Sequence, residues 1–333
     1  MIVRYVNFTS SKTKKGKWEV NTAMYDITKY VTSVTWSGSK NEVARKIQLS
    51  IINAPTDPHI KKLTLKLGSM IYLYDDDKKE LFRGYIIDRE RGSNDTVSYT
   101  VYDLLYYTLK SKATYNFKKK TPEEITEMVC KDLQIPLGKA VKTGKKFNLL
   151  MKDKSIYEII MSSYTKAKKS TGNKYHVITD KGKLYVTKMG DDWFNLLLSD
   201  SSNIISSSTK ESISDVVNKV KIYNDKGKVI KVVKNDESIL KYGIFQHTYT
   251  KEKDKDPTNS AKAMLKGISR TMEIECIGYA ECITGKCVKI KDSTTGHEGK
   301  FYIEADSHTW QNGTHTMKLT LSLTNAMDTQ SSK

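Results

Sequence analysis

The residues with chemistry to offer are few. Cys276, Cys282, Cys287 and His297 lie close in sequence and carry ligand types that suit zinc. Their gaps match no CxxC knuckle, and three of the four fall on or beside strand-like runs, so core packing is the simpler reading. His308, Trp310 and His315 would share one face of a hairpin. Imidazoles there could bind a ligand or move a proton near neutral pH; cross-strand packing is the plainer role. Asp75-Asp76-Asp77 gathers carboxylates at one turn but lacks the further ligands of a calcium loop. Glu123 and Glu124 are adjacent, so they point to different helix faces and suit the helix dipole better than glycoside hydrolysis. No GxSxG, Walker, Rossmann or HExxH pattern is present. These residues argue for no enzyme, no cofactor and no metal.

What positions them is a segment that occurs twice. Residues 67–75, 82–88 and 96–105 read as three strands with turns between, and so do 284–292, 301–306 and 314–323. Gly68 to Gly285 and Asp75 to Asp292 are offset by 217 positions; Asp88 to Asp306 and Thr96 to Thr314 are offset by 218. Four landmarks near one register imply an internal duplication of a three-stranded antiparallel element. In the second copy Asn312-Gly313 is the preferred type I′ turn pair. It sets Trp310 opposite His315, His308 opposite Met317 and Asp306 opposite Leu319. Met317, Leu319, Leu321 and Leu323 alternate with polar residues, the pattern of a strand with one buried face. Small antiparallel barrels are the natural home of such elements.

Length and composition limit the rest. A chain of 333 residues holds two or three domains. The apolar runs are too short to span a bilayer, Met1-Ile-Val-Arg-Tyr5 lacks a secretory apolar segment, and four Cys show no disulfide spacing. The expectation is synthesis in a reducing cytoplasm. A formal charge of +18 invites a nucleic-acid reading, yet only six of the 56 basic residues are Arg. Base readout and bidentate phosphate clamps favour Arg. The Lys clusters (Lys14, Lys15 and Lys17; Lys118 to Lys120; Lys142, Lys145 and Lys146; Lys166, Lys168 and Lys169; Lys251, Lys253 and Lys255) sit in expected turns and helix ends. They read as solvated surface, with an acidic partner or a charged lumen as other uses.

Along the chain, residues 1–53 are expected to be strands, broken at Ser37-Gly38-Ser39, followed by a loop at 53–58, a short connector at 60–65 and the first copy. Thr121-Pro122-Glu123-Glu124 starts a helix that buries Ile125, Met128, Val129 and Leu133. Ser155 with Glu158 makes a capping box for a second helix burying Ile156, Ile159, Ile160, Tyr164 and Ala167. Hairpins follow at 175–189 and 216–233, divided by a Ser-rich joint at 199–208. Residues 252–259 read as a charged loop, and 260–270 as a short helix. The expected domains are 1–112, 113–202 and 203–333: two β-barrels about an inserted α/β module, an α+β protein that is mainly β.

The order of parts resembles the baseplate hub family of contractile phage tails, the late control protein D group, and most closely the XkdQ/YqbQ-type hubs of PBSX-like defective phages and R-type bacteriocins. The resemblance spans most of the chain. It rests on Asp26-Ile-Thr-Lys-Tyr-Val31, Leu81-Phe-Arg-Gly84-Tyr-Ile86, Lys120-Thr-Pro-Glu-Glu-Ile125, Val217-Asn-Lys-Val220, the Ala261 helix and Gly278 with Gly285-Lys-Cys-Val288. It implies two tube-protein-like barrels per chain and a homotrimer whose six barrels close a ring. That ring would join a sixfold tail tube to a threefold spike protein, beside baseplate wedge, LysM-type and tape-measure partners, in a particle released from a bacterium. Two other classes are weighed: a tail-associated cell-wall hydrolase, which needs a carboxylate pair or Zn/Cys site in a cleft, and a basic nucleic-acid-binding protein, whose binding would fall steeply with salt.

Overall fold

The computed structural model describes residues 1–12, 18–54, 57, 59, 63–92, 95–189, 193–252, 256–323 and 327–330. Lys14, Lys15, Lys17, Lys253 and Lys255, with parts of the loop at 53–58 and the connector at 60–65, lie outside the described residues. The fold is α+β and mainly antiparallel β, arranged in two compact units: 1–207 with 274–333, and 208–273.

The first unit opens with strands β1 (Ile2–Lys12), β2 (Trp18–Asp26), β3 (Val31–Ser39), β4 (Glu42–Ile52), β5 (Met70–Tyr74), β6 (Glu80–Arg91) and β7 (Thr96–Tyr102). Alternation dictates them. Val34 and Trp36, Ile47, Leu49 and Ile51, Ile71 and Leu73, and Val97, Tyr99 and Val101 point to one core, with half-exposed residues between. Each such burial is worth about 1.5–3 kcal/mol. Ser37-Gly38-Ser39 does not break β3 as expected; the strand runs through it. A Cβ on Gly38 would lie 2.3 Å from Arg45 Nη1, so glycine here makes room for a guanidinium rather than for a turn.

Next come α1 (Leu105–Lys110), β8 (Lys112–Lys120), α2 (Pro122–Asp132), β9 (Leu137–Ala140), β10 (Phe147–Ser155), α3 (Ile156–Thr171), β11 (Tyr175–Asp180) and β12 (Lys183–Lys188). Both expected caps form: Thr121 and Ser155 each accept from the backbone N–H of a Glu three residues on, and that Glu returns the bond. Gly172 ends α3 with φ +70°. All five residues expected to face inward on α3 are buried; on α2, Ile125 and Val129 are buried, whereas Met128 and Leu133 are exposed. Thr126 and Cys130 take their place, because the buried stripe runs along 125–126 and 129–130.

The remaining strands of this unit are β13 (Trp193–Ser199), β14 (Ile204–Ser212), β18 (Ser269–Ile277), β19 (Cys287–Asp292), β20 (His297–Gln311) and β21 (Thr314–Ser322). Of the expected joint at 199–208, only 200–203 is a turn, and 204–208 is already strand β14. Strands β14 and β18 carry the chain into the second unit and back. From β18 the order is β18-β21-β20-β3-β4-β7-β6-β5-β1-β2, with β19 also on β20 and β13 on β19. The pairing of β3 with β20 joins strands from the two ends of the sequence.

The second unit holds β15 (Lys219–Tyr223), β16 (Val229–Lys234), α4 (Asp236–Tyr242), β17 (Gln246–Thr250) and α5 (Pro257–Met264). Its sheet order is β16-β15-β17, with β17 parallel to β15. Its core is small: Val220, Ile222, Val233 and Ala261. Helix α5 begins earlier than expected, because Asp256 caps it through the Thr258 N–H and Pro257 occupies the first turn. The two units divide the chain differently from the expected boundaries at 112 and 202. Residues 113–189 share a core with Ala44, Val43 and Tyr102 of the strand region, so they cluster with it.

Candidate functional site

The two copies of the repeated segment, β5–β6–β7 and β19–β20–β21, are both antiparallel meanders. Gly68 and Gly285 precede them with φ +78° and +91°, a conformation that glycine adopts without strain. The Gly68 N–H donates to Ile86 O, and Ser69 O accepts from the Ile86 N–H. The same two bonds link Gly285 and Lys286 to Ile303. Met70 faces Tyr85 as Cys287 faces Tyr302, and each long strand bulges at the next step, after Ile86 and after Ile303. Asp75 and Asp292 close their strands by accepting backbone N–H groups of the following turn, from Lys79 at 2.7 Å and Thr294 at 3.1 Å.

The other two landmarks need correction. Asp88 lies opposite Thr100, and its positional counterpart opposite Thr320 is Ala305, not Asp306. Asp88 is exposed and Asp306 buried. The second hairpin is also longer, so the counterpart of Thr96 falls beyond Thr314, which is exposed beside the Asn312-Gly313 turn.

That longer hairpin carries a buried polar seam. Trp310 faces His315, His308 faces Met317 and Asp306 faces Leu319, with Asn312 at φ +51° and Gly313 at φ +76°. Asp306 accepts both Nη groups of Arg45 from β4, and the guanidinium lies 4.3 Å from the Trp36 ring centroid. The Thr284 N–H donates to Asp306 Oδ1 at 2.6 Å. Burial is the largest influence and disfavours the Asp306 charge, but the charge and hydrogen bonds of Arg45, with the Thr284 hydroxyl and other smaller influences, together outweigh it and hold the carboxyl below its usual range.

His308 Nε2 lies 3.1 Å from Cys282 O and its Nδ1 lies 3.2 Å from His315 Nε2. A carbonyl only accepts, so His308 carries its proton on Nε2, and its Nδ1 accepts a hydrogen bond from the His315 Nε2–H. Burial lowers both rings, His315 to about 4, so both stay neutral at physiological pH. His315 stacks 4.0 Å from Trp310, and a Cβ on Gly278 would lie 2.2 Å from the His315 ring. The imidazoles are therefore packing groups wedged into place.

A cavity of about 170 Å³ adjoins the seam, lined by Arg45, Asp103, Thr179, Thr284 and Gly285 among others. Fully buried Asp103 accepts from Thr179 Oγ1 at 2.7 Å and the Leu105 N–H at 3.0 Å. Burial pushes its carboxyl up to about 6. A folded-state value above the unfolded one means that its contribution is full below about pH 4 and is lost as pH rises through 6. At about 1.36 kcal/mol per unit, that drift is about 3 kcal/mol between pH 4 and pH 7. Asp103→Asn is expected to flatten it, read as urea midpoints of the two proteins at pH 4.5 and 7.5.

The other candidates separate into structural roles. Cys276 is buried on β18, Cys282 in the following connection and Cys287 at the start of β19; His297 tilts against Phe301. Among the described residues no three His, Cys, Asp or Glu converge as a metal site. Burial pushes the Cys276 and Cys282 thiols up to about 12. Asp76 meets the Met1 amino group, while Asp77 is exposed. Glu124 completes its capping box, and Glu123 accepts from Thr143 and the Gly144 N–H. Arg45 was not anticipated. Its rarity is the available signal, since an Arg in a Lys-dominated chain marks a site that needs a planar fork. Arg83 forks onto Glu80 in the same way, with two bonds of 2.6 Å.

A family model described as YQBQ-like matches residues 34–322. The chain belongs to that family. The Bacillus subtilis protein YqbQ is 30% identical over 255 residues, covering 72% of this chain and 77% of its own. XkdQ, a protein of the phage-like element PBSX of Bacillus subtilis, is 27% identical over 306 residues, 89% of this chain and 93% of its own. The crystal structure of the 43 kDa tail protein of prophage MuSo2 from Shewanella oneidensis shares the fold, with a TM-score of 0.70 at 14% identity over 98% of this chain and all of that one. The fold of this YQBQ-like chain is therefore that of a phage tail protein. No described helix is long and apolar enough to cross a membrane.

Proposed function

We propose that the chain is a non-enzymatic structural subunit of a baseplate hub, a trimer that joins a sixfold tail tube to a threefold spike. The observation that carries this reading is the common register of the two meanders: the same positive-φ glycine, the same pair of backbone bonds and the same bulge. Two equivalent elements per chain, produced by duplication within the gene, let three chains present six similar faces. The seam of Arg45 on β4 and Asp306 on β20 would tie the second element to the strand that pairs with β7 of the first. Of the inserted module 113–202, residues 113–189 would lie outside the ring and meet wedge, LysM-type or tape-measure proteins, while β13 stays paired with β19. The particle is a contractile tail of a phage, a defective phage or an R-type bacteriocin.

Light scattering after size-exclusion chromatography tests this reading. The expected species has three times the 37.9 kDa protomer mass, alone or with its spike protein. A monomer that persists at high concentration with the spike present would refute it.

A further inference from the structure

We propose that the outer face of the three-stranded sheet in the second unit docks a protein segment carrying carboxylates among aliphatic side chains. The inference is independent of the ring. In β15, Val220 and Ile222 face inward with Ala261 of α5, so Lys219, Lys221 and Tyr223 face outward. Register extends this face sideways. Lys219 lies opposite Lys234, Lys221 opposite Val232 and Tyr223 opposite Val229. On the other side the same residues align with Gln246, Thr248 and Thr250, all exposed.

Two features of this face look unfinished in a lone chain. Val229 and Val232 are 41% and 40% exposed on a strand that, among the described residues, pairs with no other beyond it. Lys219 and Lys234 stand directly opposite each other, an unfavourable pair. Lys234 has Asp236 at 2.8 Å, but among the described residues no carboxylate meets Lys219 or Lys221. Lys234 on the edge strand also deters unwanted pairing, but Lys219 and Lys221 stand on the central strand, where that role does not apply. Nucleic acid would satisfy the ammonium groups and leave the aliphatics uncovered, and Tyr223 alone is a poor stacking platform. An acidic, aliphatic segment satisfies both, as an interface with an apolar centre and a polar rim does.

The test uses the full chain and a fluorescent peptide of alternating Glu and Val, with Glu-Ser and Lys-Val peptides and a DNA duplex as comparisons. Anisotropy is expected to show the Glu-Val peptide binding at least about tenfold tighter than each comparison. The double variant Lys219→Glu/Lys221→Glu, and separately Val232→Ser, should weaken it about tenfold. Carbodiimide cross-linking on the unaltered protein should map the peptide to Lys219 or Lys221, a readout that does not depend on a variant folding. Equal binding of the Glu-Ser peptide, tighter binding of DNA, cross-links elsewhere or no binding would each overturn the proposal.

Discussion

Replacing Asp306 by Asn is expected to destabilise the first unit by about 3–5 kcal/mol, because it leaves the Arg45 cation in the seam without its counter-charge. The Asp306 side chain is fully buried and that of Arg45 is 17% exposed, so water does little to screen the loss. The donors aimed at Asp306, two Nη groups and the N–H and hydroxyl of Thr284, would have to share one amide oxygen. Arg45→Met should cost a similar amount from the other side. The double variant Arg45→Met/Asp306→Leu removes both charges and should recover most of the loss. Urea unfolding followed by tryptophan fluorescence reads the seam directly, since Trp36 and Trp310 both pack against His308. A cost below about 1 kcal/mol for the single changes would place the pair among ordinary surface bridges. The sign with pH is also fixed. Because the folded Asp306 value is depressed, its contribution is present above the unfolded carboxylate range and is lost as pH falls through the folded value. Asp103 acts in the opposite direction at higher pH, so stability should peak between the two.

The second large effect concerns one register position with opposite demands in the two meanders. Gly84 faces Ile71 as Phe301 faces Val288. A Cβ on Gly84 would lie 2.4 Å from Tyr102 O and 2.7 Å from the Phe82 ring. The first obstacle is backbone and cannot rotate away, so Gly84→Val should cost about 3 kcal/mol or more. Phe301 is buried at the matching place, and Phe301→Ala should cost about 3–5 kcal/mol. Melting temperatures and soluble yields of the two variants check this. Tolerance of valine at Gly84 would mean that β6 and β7 can part locally.

These two sites mark what the sequence made legible. The Asn312-Gly313 turn fixes loop length, so three cross-strand pairs of that hairpin followed at once. The Ser155–Glu158 box was equally local. One offset between the copies holds only up to the hairpin. The bulges match, so the 217 offset holds through Asp88 and Ala305, and Asp306 at 218 matched Asp88 in letter but one residue out of place; the longer hairpin then moves the return strand to an offset of 220. Gly38 read as a breaker because its partner, Arg45, approaches from the next strand rather than from the neighbouring residues. Helix α4 went unread as well. It is seven residues long with no buried side chain, so it carries no apolar stripe to detect.

The pairing of β3 with β20 has a consequence during synthesis. Ser33 and Ser39 lie opposite Gln311 and Ala305, and at about 5–20 residues per second the second partner leaves the ribosome on the order of 10–60 s after the first. Throughout that interval one edge of β3 has no native neighbour. A nascent chain of this protein should therefore be a client of ribosome-proximal chaperones, and a message truncated before β20 should yield an aggregating fragment rather than a folded half.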